Sequence, residues 1–145
     1  MKSFDDSNIQ WRPFAGMGGF VVRIFDVDPK TRTVDFAIKF DPNTQVIIHR
    51  HTALTHTFVI EGDHVIYEPD GTLRESRPVG RYTVSQVTGD VHNEGGGPNG
   101  CTLMYSVRGE TDEMFDVLDE QQNIVSKLGV AEFQALMDAQ DKVAA

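Results

Sequence analysis

Cysteine is nearly missing from this chain, with Cys101 alone among 145 residues. One thiol closes no intramolecular disulfide, which excludes a stapled secreted scaffold. Cys101 opens the run Thr102-Leu103-Met104-Tyr105-Ser106-Val107 and reads as a small core thiol rather than a nucleophile. Positive charge is also scarce: 13 Lys and Arg stand against 22 Asp and Glu, for a formal net charge of -9. Such a chain repels phosphate backbones, so no nucleic-acid partner is expected. No apolar run approaches the roughly 20 residues needed to span a bilayer. Met1-Lys2-Ser3-Phe4-Asp5-Asp6 lacks the apolar segment of a signal peptide. The expectation is therefore no membrane partner and a cytoplasmic location. Internal repeats, linkers and low-complexity tracts are absent too, and a single domain over residues 1–145 is expected.

What is present is β-rich. Thirteen glycines and nine phenylalanines accompany short Val-, Ile- and Thr-rich runs separated by turn signals. Phe20 to Phe25 follows a glycine turn, and Thr33 to Phe40 alternates with period two. Further strands are expected at Val46 to His51, Thr55 to Ile60, His64 to Tyr67, Gly80 to Val87 and Cys101 to Val107. Gly95-Gly96-Gly97-Pro98-Asn99-Gly100 reads as a flexible turn. Strands at this spacing indicate a sandwich or barrel. A late hairpin is expected from Phe115–Asp119 and Ile124–Ser126. After Gly129, the spacing of Val130, Phe133, Leu136 and Met137 predicts one amphipathic helix, packed on the barrel or against a partner subunit. The acids Glu110, Asp112, Glu113, Asp116, Asp119 and Glu120 miss the EF-hand spacing and read as a solvated face.

The chemistry is concentrated in histidine. His49 and His51 flank Arg50 at the end of an apolar run. Side chains alternate along a strand, so the two imidazoles share one face and Arg50 takes the other. His92, in Gly89-Asp90-Val91-His92, is the candidate third ligand of a divalent transition metal.

Two stretches resemble the motifs of the cupin superfamily. His49-Arg50-His51, then Thr55-His56-Thr57-Phe58-Val59-Ile60-Glu61-Gly62, resembles the first cupin motif, and Gly80 through His92 resembles the second. Together they cover roughly residues 45 to 95. The resemblance implies an all-β fold, a cupin double-stranded β-helix or jelly-roll barrel, here with a short C-terminal helix. Counting back from Gly62, the usual metal-binding glutamate falls at Thr55, a poor ligand, and Val87 replaces the second motif's proline. The implied metal set is His49, His51 and His92, which are also the catalytic residues, acting through the metal. A one-residue bulge would turn His56 inward as a ligand or base; strand alternation keeps it outside. His64 reads as a surface or structural residue.

A glutamate-free, three-histidine cupin is similar to the acetylacetone-cleaving and dihydroxyacetophenone-cleaving dioxygenases. That resemblance implies a mononuclear Fe(II) site, with Zn, Mn or Ni accommodated by the same ligands. It implies carbon–carbon bond cleavage of a small β-dicarbonyl or hydroxyketone, with O2 as co-substrate. Three neutral imidazoles leave the full dication charge for an anionic enolate. Phe36, Ile38, Phe40, Val59, Met104 and Tyr105 are candidates either for an apolar pocket or for ordinary core. The alternatives are a zinc-dependent hydrolase or hydratase and a non-catalytic metal-binding or sensing cupin. Exposed sheet edges lead to the expectation of a homodimer or higher homo-oligomer.

Overall fold

Period-two alternation becomes two antiparallel sheets in the computed structural model, which describes residues 4–14 and 16–142. The strands are β1 (Arg12–Phe14), β2 (Met17–Asp28), β3 (Thr33–Phe40), β4 (His49–His51), β5 (Leu54–Tyr67), β6 (Leu73–Arg77), β7 (Tyr82–Ser85), β8 (Asn93–Arg108), β9 (Glu113–Leu118) and β10 (Ile124–Gly129), followed by the helix α1 (Val130–Gln140). The larger sheet runs β1-β2-β3-β8-β5-β6, with β7 also paired to β5; the smaller runs β10-β9-β4. Inward residues of both, among them Val22, Ile24, Phe36, Ile38, Met114 and Phe115, form one buried cluster. The predicted hairpin is present as β9 and β10.

The helix forms where its apolar spacing places it. Glu132 Oε1 accepts the Gly129 N–H at 2.8 Å, satisfying one donor at the N-terminus. Val130 and Phe133 are buried, and Phe133 stacks on Phe36 with ring centroids 5.2 Å apart. Burial of that phenyl contributes about 1.5–3 kcal/mol. At the far end the Gln140 amide clasps the backbone of Ile24, accepting at 3.0 Å and donating at 2.8 Å. The helix thus packs on β2, β3 and β10 and adds Val130 and Phe133 to the core.

Several expectations need correction: β4 begins only at His49 rather than Val46, and the strand expected from Gly80 to Val87 is only Tyr82–Ser85. The stretch from 95 to 100 is no turn; it is the first half of β8, a strand of 16 residues. Likewise residues 55–60 and 64–67 belong to one strand, β5, of 14 residues. Glycine explains both. Gly62 takes φ +75, and a Cβ there would lie 2.1 Å from the Gly100 carbonyl oxygen. The paired strands therefore bulge and bend at this point without breaking, with register shifts on either side of Gly62. Gly95 has ordinary backbone angles, but a Cβ there would meet the Thr44 carbonyl oxygen at 1.7 Å. Missing side chains let residues 41–48 lie directly on β8. The solvated acidic face is also interrupted, because Asp116 is buried and accepts from Arg50 Nε at 2.8 Å.

Candidate metal centre

The backbone brings the three histidines together before any side-chain chemistry. Val46 N–H donates to the Glu94 carbonyl at 2.9 Å, and Ile47 N–H donates to Asn93 Oδ1 at 3.0 Å. His49 and His92 then exchange both backbone hydrogen bonds, at 2.9 and 3.0 Å. Opposed residues in such a bridge carry their side chains on the same face. Alternation along β4 adds His51 on that face and sends Arg50 out to Asp116. The ligand atoms of His49, His51 and His92 all lie within 4.8 Å of one another, and all three residues are buried. Ring centroids of His49 and His92 are 4.4 Å apart.

The outer ring nitrogens are held in the manner of metal ligands. His49 Nδ1 lies 3.1 Å from the Ile47 carbonyl oxygen, which can only accept, so Nδ1 carries the proton and Nε2 is left free. His51 Nδ1 lies 2.9 Å from Thr55 Oγ1. That hydroxyl spends its proton on the Ala53 carbonyl at 3.1 Å, so it accepts from His51 and again frees Nε2. His92 Nδ1 is buried without a hydrogen bond, 3.4 Å from an Asp90 carboxylate oxygen. Burial, followed by the charge of neighbouring His49, pushes His92 down to about 3. His51 is pushed well down by burial and then by His49 and His92. Buried imidazoles with free ring nitrogens fit a divalent transition metal.

Thr55, at the position of the usual glutamate, is fully buried and orients His51 instead of binding metal. His56 stays on the outer side of β5, hydrogen-bonded to the Tyr82 hydroxyl, so no bulge brings it inward. His64 is not on the surface. It is buried against Phe40 and bonds Glu94 Oε2 through Nε2 at 2.8 Å. Cys101 is a buried thiol whose pKa burial pushes up, as expected of a core residue.

Glu94 was not singled out from the sequence, yet it faces the centre. The alternation that pairs His49 with His51 also places residues 92 and 94 on one face, and that was the available signal. Its carboxylate accepts from the Tyr105 hydroxyl at 2.9 Å and from His64. Burial alone would raise it. The charge of His49 and the His64 hydrogen bond outweigh burial and hold it well below the usual carboxylate range. Tyr105 is correspondingly raised well above its ordinary value by burial and by Glu94.

Two cavities flank the centre. A void of about 50 Å³ lies on the His49 side and is walled by apolar groups including Phe36, Ile38, Phe115 and Phe133. A larger cavity of about 330 Å³ meets His51, His92, Glu94 and Tyr105, and its far wall is polar. The candidate apolar pocket residues therefore divide. Phe36 and Ile38 line the small void, Tyr105 touches both cavities, Phe40 and Val59 are core, and Met104 lines neither.

Neither a family profile nor a curated protein matches the sequence. Solved structures do match the fold. An RmlC-like cupin protein from Ralstonia eutropha superposes with a TM-score of 0.77 at 17% identity, covering 92% of this chain and 82% of the other. An acetylacetone dioxygenase from Acinetobacter johnsonii gives 0.74 at 15%, covering 97% and 93%. The polyketide cyclase RemF from Streptomyces resistomycificus gives 0.60 at 17%, covering 98% and 96%. The protein has the cupin fold: a jelly-roll barrel with a short C-terminal helix, carrying a three-histidine group at its centre.

Proposed function

We propose that the protein is a mononuclear metal-dependent dioxygenase that cleaves a carbon–carbon bond of a small β-dicarbonyl or hydroxyketone. The observation that carries this reading is the ligand set. His49, His51 and His92 converge with no carboxylate among them, because Thr55 stands where cupins usually place glutamate. A ferrous ion held there would supply a full dication charge and a redox couple for O2. The chain's own residues do the rest. The Ile47 carbonyl and Thr55 hydroxyl fix the tautomers of His49 and His51, so both present Nε2. The cavity of about 330 Å³ is of the size that takes a small ligand. Glu94, with its hydrogen bonds from His64 and Tyr105, sets a buried negative charge near the imidazoles without joining them. An enolate would bind as an anion toward the histidine wall, away from that carboxylate.

A redox-neutral zinc enzyme is the second reading. The polar wall of the cavity and the Glu94–Tyr105–His64 set favour it, since such groups serve proton transfer as well as positioning. Paired oxygen-electrode runs decide between them. Iron-loaded protein should consume one O2 per molecule of a β-diketone, hydroxyacetophenone or β-keto acid, while the zinc-loaded form consumes none. Turnover by the zinc form without oxygen loss supports the second reading; inertness of both leaves a binding protein.

A further inference from the structure

We infer that Arg77 reads an anionic group on the substrate, so that the natural ligand is a β-dicarbonyl or hydroxyketone bearing a carboxylate remote from the metal-chelating oxygens. This rests on the proposed reading of the centre. Arg77 ends β6 directly opposite His64 of β5. Paired residues share a face, so its side chain enters the same cavity as His64, and it lines that cavity together with His51 and His92.

Its hydrogen bonding is incomplete. Arg77 Nε reaches Glu75 Oε2 at 3.3 Å and Nη1 reaches Thr83 Oγ1 at 3.4 Å, both long for charged groups. Nη2 makes no hydrogen bond among the described residues. The guanidinium side chain is nevertheless only 16% exposed. Every carboxylate lining the cavity has a closer partner. Glu75 takes Arg81 Nη2 at 2.9 Å, Asp90 takes Arg74 Nη1 at 2.6 Å, and Glu94 takes His64 and Tyr105. Arg74 is itself saturated by Glu68, with two contacts of 2.7 Å, and by Asp90. Arg77 is thus the cation of the cavity wall with donor capacity to spare. A planar guanidinium in a mostly enclosed cavity favours a planar, two-oxygen anion, which is a carboxylate.

The test is binding, measured by calorimetry on zinc-loaded protein in the absence of turnover. The probes are linear β-diketones that carry a carboxylate two, three or four methylenes from the nearer carbonyl, each beside its methyl ester. The best acid should bind on the order of tenfold or more tighter than its ester, as a charge-assisted pair implies. Arg77→Gln should erase that preference while zinc content and ester affinity stay unchanged, and Arg77→Lys should restore part of it. Esters bound as tightly as acids by the native protein overturn the inference. So does an acid preference that survives in Arg77→Gln, or failure of every acid to bind. Oxygen uptake by iron-loaded protein on the neutral esters, run separately, judges the dioxygenase reading whichever way the binding falls.

Discussion

Thr55 sets both the charge and the aim of the centre. Its hydroxyl accepts the His51 Nδ1 proton while donating to Ala53, so Thr55→Val removes the acceptor and leaves a buried N–H unpaired. Loss of such an outer partner weakens metal binding by about 10–100-fold. Thr55→Ser should recover most of it, and equal metal affinity in Thr55→Val and the native protein would refute the orienting role. Thr55→Glu is the opposite experiment. A carboxylate at this position would lower the charge of a bound ion and compete with an enolate, so iron content should persist while oxygen uptake falls. Full oxygen uptake at normal iron content would count against the neutral-ligand argument. His92→Ala removes one of three ligands from a barrel whose core does not depend on it; metal content should fall sharply with the far-ultraviolet circular dichroism unchanged.

At the scale of elements, the site depends on how closely residues 41–48 lie on β8. That approach requires Gly95, where a Cβ would meet the Thr44 carbonyl at 1.7 Å. Gly95→Ala should therefore cost about 2 kcal/mol or more of stability and also lower metal affinity, because the displaced segment carries His49. Gly18→Ala is the control. Its new methyl group would meet nothing within 4 Å, and the site should survive. Comparable metal loss in both variants would sever the link between this contact and the ligand set. The same glycines explain what the sequence left unread. Alternation in Thr33–Phe40, the hairpin residues and the 3.6-residue spacing after Gly129 are local signals, and β3, β9, β10 and α1 follow them. Gly62 and Gly95 to Gly100 look like turns locally, and only their opposition across β5 and β8 shows them to be bends in continuous strands. The histidine cluster was legible because alternation and motif spacing agreed. Glu94 obeys the same alternation, but its role depends on His64 and Tyr105, partners 30 and 11 residues away. Arg77 lies in a strand with no strong β-forming pattern, Leu73-Arg74-Glu75-Ser76-Arg77, which becomes a strand through pairing with β5.

For the whole molecule, the ligands divide between the two sheets. His49 and His51 belong to β4 of the smaller sheet, while His92 leads straight into β8 of the larger. An ion shared by the three ties the sheets together and stabilises the folded state through linkage, by about 2.7 kcal/mol at a free concentration one hundred times the Kd. For a chain of this length that corresponds to a rise in Tm of roughly 5–10 °C on adding zinc, reversed by a chelator. The pH dependence has a definite sign. His51 and His92 are depressed in the folded protein, His92 to about 3, against about 6.5 in an unfolded chain. Above pH about 6.5 neither state is protonated at these residues and their contribution is fully present. As pH falls, the unfolded chain takes up protons that the folded chain refuses, so stability is lost progressively until His92 itself titrates near 3. Metal-free protein should therefore lose Tm from pH 6.5 to 5, a window above most carboxylate titration, and His92→Gln should flatten that slope. A metal-free Tm that holds level from pH 6.5 to 5 would separate these imidazoles from the stability of the fold.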